Sequence, residues 1–570
     1  MKVRKTNIRK VITLHIRTFW ARETVRICPT CQRIYRSEEL ARLVAPGANF
    51  GYDILVYVGK ALFLRHRNDR EVVAELAQKN IRISTREIAY LGKKFVTCLA
   101  IAHRQCAGRI RQAMQLKGGY VFHLDGTCDG QSPLLMSGLD SLSEIVLGNI
   151  KLPSEKADKI IPFLKDIKEK FGIPLALVHD MGRGILDAVA QVFPKTPDFI
   201  CNFHFLRDIG KDLFGDQYDI IRQRLHKHGI ITKLRHRAKQ LKQAIDKNPD
   251  AIDSFHCGVC NNGLPQSVEL IPAITVYSLI LWALEGKNQG QGYGFPFDRP
   301  HLAFAKRLHE IYCHIDQLKN IRLRQSFKDN RPYFKIMGDI KTIIEDNVLH
   351  RAIEQIEPKI GVFDKLRDAM RIAPTCGTRG LNHDGMESTI GRIEQGVKKF
   401  RLWLTSRKEY STNQGYRKMI EQIDKYWEKL FADPITVDGP NGKIRIQPQR
   451  TNNIMEQYFR NFKRGNRRKT GNNSSSLMLQ NMLAQTPLVR NLQNPEYMKI
   501  LLDGKTSIEE LFADIEITRL RQELKNAQQN PEKIPAKIKS IINEPKYPEK
   551  LANLLKKSQF QPKSNQILRQ

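Results

Sequence analysis

The sequence predicts an α/β fold: a core of order βββαβαβ, split by a large all-helical insertion and preceded by a helical hairpin. Three observations predict it. Between residues 117 and 210, apolar runs of strand length alternate with amphipathic runs of helical spacing. From 211 to 440 the apolar spacing is helical almost throughout. After that stretch a single helix carries an aromatic stripe on one face and a row of cations on another.

The chain of 570 residues is long enough for several cores. Its formal charge of +35 makes a polyanion the expected partner, because each neutralised phosphate releases counterions. Hydrophobic residues make up 41%, enough for globular folding, and no apolar run approaches the roughly 20 residues of a membrane span. No membrane association is expected. The basic amino terminus runs into ITLHIRTFW, which His15 and Arg17 interrupt, so it lacks the apolar stretch of a secretory signal. A cytoplasmic protein, nucleoid-associated when bound to DNA, is the expectation. Ten scattered cysteines with two C-x2-C pairs suit reduced thiols better than a disulfide framework.

Residues 1–45 read as a small β segment in which VITLHI and ETVRIC flank Cys28-Pro29-Thr30-Cys31. Cys28 and Cys31 are a candidate pair for structural zinc, although a complete site needs two more donors and His15 is the one nearby histidine; the alternative is a turn with two thiols. Residues 46–116 read as a helix-turn-helix. ILVYVGKALFLRHR and REVVAELAQKN have helical spacing, and Ser84-Thr85-Arg86-Glu87 is a capping box opening REIAYLGKKF, so Arg86, Lys93 and Lys94 would flank a recognition helix. Such hairpins are also common in proteins that never touch DNA.

In residues 117–210, YVFHLDGT is a strand ending in Asp125, and PLLMSGLD and EIVLGNIKL are two more. SEKADKIIPFLKDIKEKFG is a helix opened by Ser154, PLALVHD a strand ending in Asp180, Gly182 to Phe193 a second helix, and DFICNF a last strand. This is the order of a ribonuclease-H-like core, in which the first and fourth strands are neighbours, so Asp125 and Asp180 are expected side by side. Residues 211–440 form the helical insertion, broken by GQGYGFPFDRP, which reads as a packed aromatic loop rather than a phosphate cradle. Residues 441–490 return to the core with the third acid, NNSSS is a flexible link, and 491–570 are a helical, basic tail whose last 45 or so residues are weakly helical at best.

Phosphodiester chemistry with two metal ions needs clustered carboxylates, and hard oxygen ligands favour magnesium or manganese. Asp125 and Asp180 supply two. The third is sought in Arg450-Thr451-Asn452-Asn453-Ile454-Met455-Glu456-Gln457-Tyr458-Phe459-Arg460. Helical spacing gives Met455, Tyr458, Phe459 and Phe462 one face, and Asn452, Glu456, Arg460, Lys463 and Arg467 another. Arg464, Arg468 and Lys469 extend the positive surface towards a DNA backbone. The plainer alternative makes Asn453 an N-cap with Glu456 as its capping-box partner. Glu387 and Glu394 are rival third acids, and His256-Cys257-x2-Cys260 is a second, incomplete zinc candidate.

HLDGT, HDMGRG, CNFH and TNNIMEQYFRNFKRGNRRKTG together resemble bacterial and archaeal insertion-sequence DDE transposases related to the Mutator-like superfamily, over roughly residues 50 to 500. The resemblance implies an enzyme that cuts element ends and transfers their 3′-hydroxyls to target DNA with two Mg2+ or Mn2+ ions. Its partners would be double-stranded DNA, as terminal repeats and target, and at least one further copy of the chain. In that family the third acid follows an all-helical insertion, as in the 276-residue gap between Asp180 and Glu456 here. The family's Cys-x2-His pair maps onto Cys201 and His204, implying support of the active site or of a DNA end; an ordinary buried Cys beside a hydrogen-bonded His is the alternative. A domesticated, catalytically silent DNA-binding protein and a nuclease on the same core are the rival readings.

Overall fold

Residues 7–11 and 18–27 alternate exposed and more buried side chains, within an antiparallel hairpin of β1 (Lys2–Ile12) and β2 (Thr18–Ile27), with the short β3 (Ile34–Tyr35) beside β2. Only Val11 and Ile12 of VITLHI are in a strand, the rest of that run being the hairpin turn; β1 lies before it and β2 starts five residues before ETVRIC, because polar alternation pairs as readily as apolar alternation. The inner face rests on α1 (Glu38–Leu43) through Val11, Ala21 and Val44. The computed structural model describes residues 1–261, 271–322, 331–373, 389–440, 442–527 and 536–557.

Four helices follow: α2 (Tyr52–Phe63), α3 (Asp69–Ala77), α4 (Thr85–Gln105) and α5 (Ala107–Leu116). A reciprocal capping box forms at Asn68 and Glu71 at the head of α3, while Ser84 accepts from the Glu87 amide at the head of α4. Helix α4 is buried from Lys94 to His103 and is a core helix for most of its length. Gly59 of α2 lets it approach: a Cβ there would lie 2.1 Å from the Phe95 ring.

The sheet has the order β6-β5-β4-β7-β8. Strands β4 (Val121–Thr127), β5 (Leu134–Asp140) and β6 (Val146–Leu152) are an antiparallel meander, β7 (Ala176–His179) lies parallel to β4, and β8 (Asp198–Ile200) follows. The near-continuous burial of β4 and β7 is what a strand covered on both faces requires. Helices α6 (Ala157–Phe171) and α7 (Arg183–Val192) pack against each other. Ser154 is not the cap of α6: that position belongs to Lys156.

The chain divides into two units within β8: one of Met1–Asp198, Ile435–Pro448 and Asn452–Gln570, the other of Phe199–Pro434 and Gln449–Thr451. The second unit is helical, with α8 (Asn202–Lys227), α9 (Ile230–Ile245), α10 (Pro249–Cys260), α11 (Ile271–Glu285), α12 (Pro300–Arg322), α13 (Arg331–Ile344), α14 (Asn347–Ala369), α15 (Ile390–Thr405), α16 (Lys408–Thr412), α17 (Gln414–Lys425) and α18 (Trp427–Leu430). Its aromatic loop is packed as expected: Phe295 stacks on Tyr218 with centroids 4.4 Å apart, and Phe297 on Phe203 at 4.6 Å.

Back in the first unit come the hairpin β9 (Ile435–Gly439) and β10 (Gly442–Ile446), then α19 (Asn453–Thr470), α20 (Ser476–Asn481), α21 (Pro495–Leu502), α22 (Ile508–Ala513), α23 (Ile517–Ala527), α24 (Ala536–Ile542) and α25 (Tyr547–Lys557). One hydrophobic core joins α2 to α5, the sheet, α19 and α21 to α23. The stretch 495–527 is therefore core structure rather than a tail: Phe512 meets Phe95 edge-on, and the Tyr497 hydroxyl reaches His103 Nδ1 at 3.0 Å. NNSSS is also pinned rather than loose, since the Asp129 carboxylate accepts from the Ser474 hydroxyl and from the Ser475 amide and hydroxyl. Those bonds, the Ser475 amide first, hold the Asp129 carboxyl below its usual range. Among the described residues no helix is long and apolar enough to cross a membrane.

Candidate active site

The parallel register of β4 and β7 pairs Leu124 with His179; Asp125 comes next, within β4, which pairs on to Thr127 rather than ending at the aspartate, and Asp180 comes next after β7. Asp125 is largely buried and its Oδ1 accepts from the Gly126 amide at 2.7 Å. Asp180 is half-buried just beyond the end of β7. These are the neighbours that the strand order predicts.

Glu456 stands in the first turn of α19, and the turn before it is tied to β4. Asn452 is the N-cap, fully buried, and its side chain makes no capping bond. Instead its Nδ2 donates to the Leu124 carbonyl at 3.0 Å, and its Oδ1 accepts from His123 Nδ1 at 3.0 Å. Its own carbonyl accepts from the amides of Met455 and Glu456. One side chain thus spans from the residues preceding Asp125 to the helix carrying Glu456. The plainer account of Glu456 does not hold, because the cap is Asn452 and no capping box forms there. Glu394, a rival third acid, is ion-paired with Lys398 at 2.8 Å in the second unit, and Glu387 lies outside the described residues.

Burial pushes the His123 imidazole down to about 4, helped by neighbouring His179 and opposed by the Asn452 bond, so the ring is neutral at neutral pH. Glu155 is a carboxylate the sequence reading passed over. Its Oε1 would be 2.9 Å from a Cβ at Gly182, and desolvation against that turn, then the negative charge of Asp180, push its pKa up. A signal was present in Ser154-Glu155-Lys156, but only its helix-opening role was read. Beyond β8, Cys201 caps α8 and His204 sits in that helix's first turn. Cys201 is buried and both residues belong to the second unit. Cys28 closes a tight turn in which the Gln32 amide donates to its carbonyl, and bonds to the Cys31 and Thr30 amides lower its thiol pKa. Cys260 lies 3.6 Å from His256 on one face of α10, with Cys257 exposed beside them.

Arg460, Lys463, Arg464, Arg467 and Arg468 are exposed along α19, whereas Lys469 is half-buried over the Phe63 ring and 3.9 Å from Asp69. Gly465 gives the helix its close approach to the amino-terminal helices, for a Cβ there would meet the His66 ring at 2.4 Å. At the head of α4, Arg86 and Lys93 are exposed. Lys94 is not: it is buried, and desolvation lowers its pKa. Comparison with family models finds none that matches the chain, and comparison with curated proteins finds no relative.

Proposed function

We propose that the chain is a DDE-type DNA transposase, which cuts the ends of its element and joins the freed 3′-hydroxyls to target DNA. The observation that carries this reading is the bridge made by Asn452. It links the strand holding Asp125, whose parallel neighbour leads to Asp180, with the helix turn holding Glu456, across a 276-residue separation from Asp180. A sheet with the order β6-β5-β4-β7-β8, with one acid within β4 and another just beyond β7, also suits a ribonuclease-H-like core.

The donor chemistry of Asp125, Asp180 and Glu456 is all carboxylate oxygen, which fits magnesium or manganese. Two such ions, when bound, would neutralise charge on the attacked phosphate and acidify the attacking water. The protein's own share is positioning. Asn452 fixes the helix turn of Glu456 against β4, and neutral His123 adds no positive charge beside Asp125. The exposed cations of α19 hold the DNA backbone, with sequence reading left to the helical hairpin around Arg86 and Lys93. Bringing two DNA ends together calls for at least a dimer. Cys201 and His204 match the Cys-x2-His pair of the resembled family, and we assign the pair a supporting role.

The test is magnesium-dependent cutting and joining by the purified full chain on DNA carrying the repeats that flank its own reading frame. Asp125→Asn and Glu456→Gln should each lower cutting by about a thousandfold or more while leaving duplex affinity within about twofold. Retained cutting in either variant would overturn that residue's assignment. Tight binding with no cutting even by the wild type would make the chain a silent DNA-binding protein.

A further inference from the structure

We infer that the outer face of the amino-terminal hairpin is a second nucleic-acid site, one that takes an unpaired polynucleotide strand. The register sets Lys10 opposite Trp20, Ile8 opposite Arg22, Thr6 opposite Thr24 and Val3 opposite Arg26. All eight are exposed, while Val11, Ala21 and Val25 on the reverse face are buried. Trp20 is 71% exposed and Ile8 65%. Trp20 is the most exposed of the large hydrophobic side chains among the described residues, and it shares this face with Ile8 and Val3.

Charge identifies the occupant. The first 36 residues hold ten Lys and Arg against one carboxylate, Glu23, and that carboxylate is turned to the buried side and paired with Arg36. Among the described residues, Lys10, Arg22 and Arg26 have no carboxylate within ion-pair distance. An acidic, π-rich partner satisfies both halves of the surface, with phosphates on the three cations and a base on the indole. A duplex shows its base faces only at its ends, whereas an unpaired strand offers one at every nucleotide. From Trp20 to Arg26, β2 rises roughly 20 Å, room for a few nucleotides. The site is independent of the carboxylates and needs no divalent ion.

The test is anisotropy titration of the full chain, in EDTA so that the outcome does not depend on the active-site reading. The probes are a labelled 20-nucleotide DNA strand, the same sequence as RNA, and a 20-base-pair duplex. Trp20→Ala should weaken single-strand binding about tenfold and duplex binding less than twofold, with Trp20→Phe restoring most of the loss. The triple change Lys10→Ala, Arg22→Ala, Arg26→Ala should reduce the slope of log affinity against log salt by about 2 for the single strand. The DNA and RNA arms show which strand is preferred, and tight binding to either that depends on Trp20 supports the site. Unchanged single-strand affinity in Trp20→Ala, or an equal loss on the duplex, overturns it. All four positions are exposed, so thermal midpoints should hold within about 2 °C; should the triple change unfold the chain, the Trp20→Phe and Trp20→Ala comparison still decides.

Discussion

Asn452 serves three purposes: its side-chain amide accepts from a buried imidazole and donates to a buried carbonyl, and its backbone carbonyl opens α19. Asn452→Ala would leave the His123 Nδ1 hydrogen and the Leu124 carbonyl unpaired in the interior, a cost of about 2 to 4 kcal/mol. Urea unfolding should register that loss, and strand cutting should fall while duplex affinity holds. His103 gives a second residue-scale expectation. Its Nε2–H donates to the Leu147 carbonyl and its Nδ1 accepts from the Tyr497 hydroxyl, both at 3.0 Å, and burial pushes its pKa down to about 4. The unfolded chain takes up this proton below about 6.5 while the folded chain does not. The stabilisation is therefore complete above about pH 6.5 and is lost as pH falls towards 4, by on the order of 3 kcal/mol from this ring. Unfolding curves of wild type and His103→Gln at several pH values should differ by that slope. A constant gap between them would show that the ring does not titrate as its burial requires.

At the scale of elements, α19 was legible because both of its messages are periodic. The stripe of Met455, Tyr458 and Phe459 is buried and the row of Arg460, Lys463 and Arg467 is exposed, as helical spacing demands. Replacing Lys463 and Arg467 by Ala should lower the salt slope of duplex binding by about 2 and weaken all sequences alike. The role of Asn452 was not legible, since a residue before a helix reads as a cap and only the fold shows its side chain turned to β4. Lys94 misled for a related reason: period alone does not say that α4 is enclosed on several sides. In the second unit, α14 is opened by Asp346, which accepts from the Val348 and Leu349 amides, from Arg224 Nε at 2.7 Å and from His228 Nε2 at 2.7 Å. Burial alone would raise its pKa, but the bonds from Arg224, His228 and the helix amides outweigh it and hold the carboxyl well below the usual range. Its contribution is therefore present above about pH 4 and lost on acidification. Asp346→Ala should cost about 3 kcal/mol, measured by thermal or denaturant unfolding.

For the whole molecule, the order of strands could be read from the sequence because each strand announces itself locally. The merging of amino-terminal helices, sheet and 495–527 into one core could not, because its contacts join residues nearly 400 apart, as between His103 and Tyr497. A low-complexity, basic carboxyl end reads as a tail until Tyr497, Leu501 and Phe512 are seen buried. A chain stopped at residue 490 should consequently fail to fold its first unit rather than merely bind DNA less well. One stopped at Ala527 should keep its thermal midpoint within a few degrees, and circular dichroism of the two truncations would tell them apart.

The first unit leaves off at Asp198 and is completed only by segments that begin at Ile435 and Asn452. During synthesis, then, Asp125 and Asp180 emerge long before Glu456. At about 5 to 20 residues per second, the 276 residues from Asp180 to Glu456 occupy the ribosome for roughly 15 to 55 s. Throughout that interval His123 has no Asn452 to meet, and on the proposed reading a premature stop anywhere in the insertion would release a chain without its third acid.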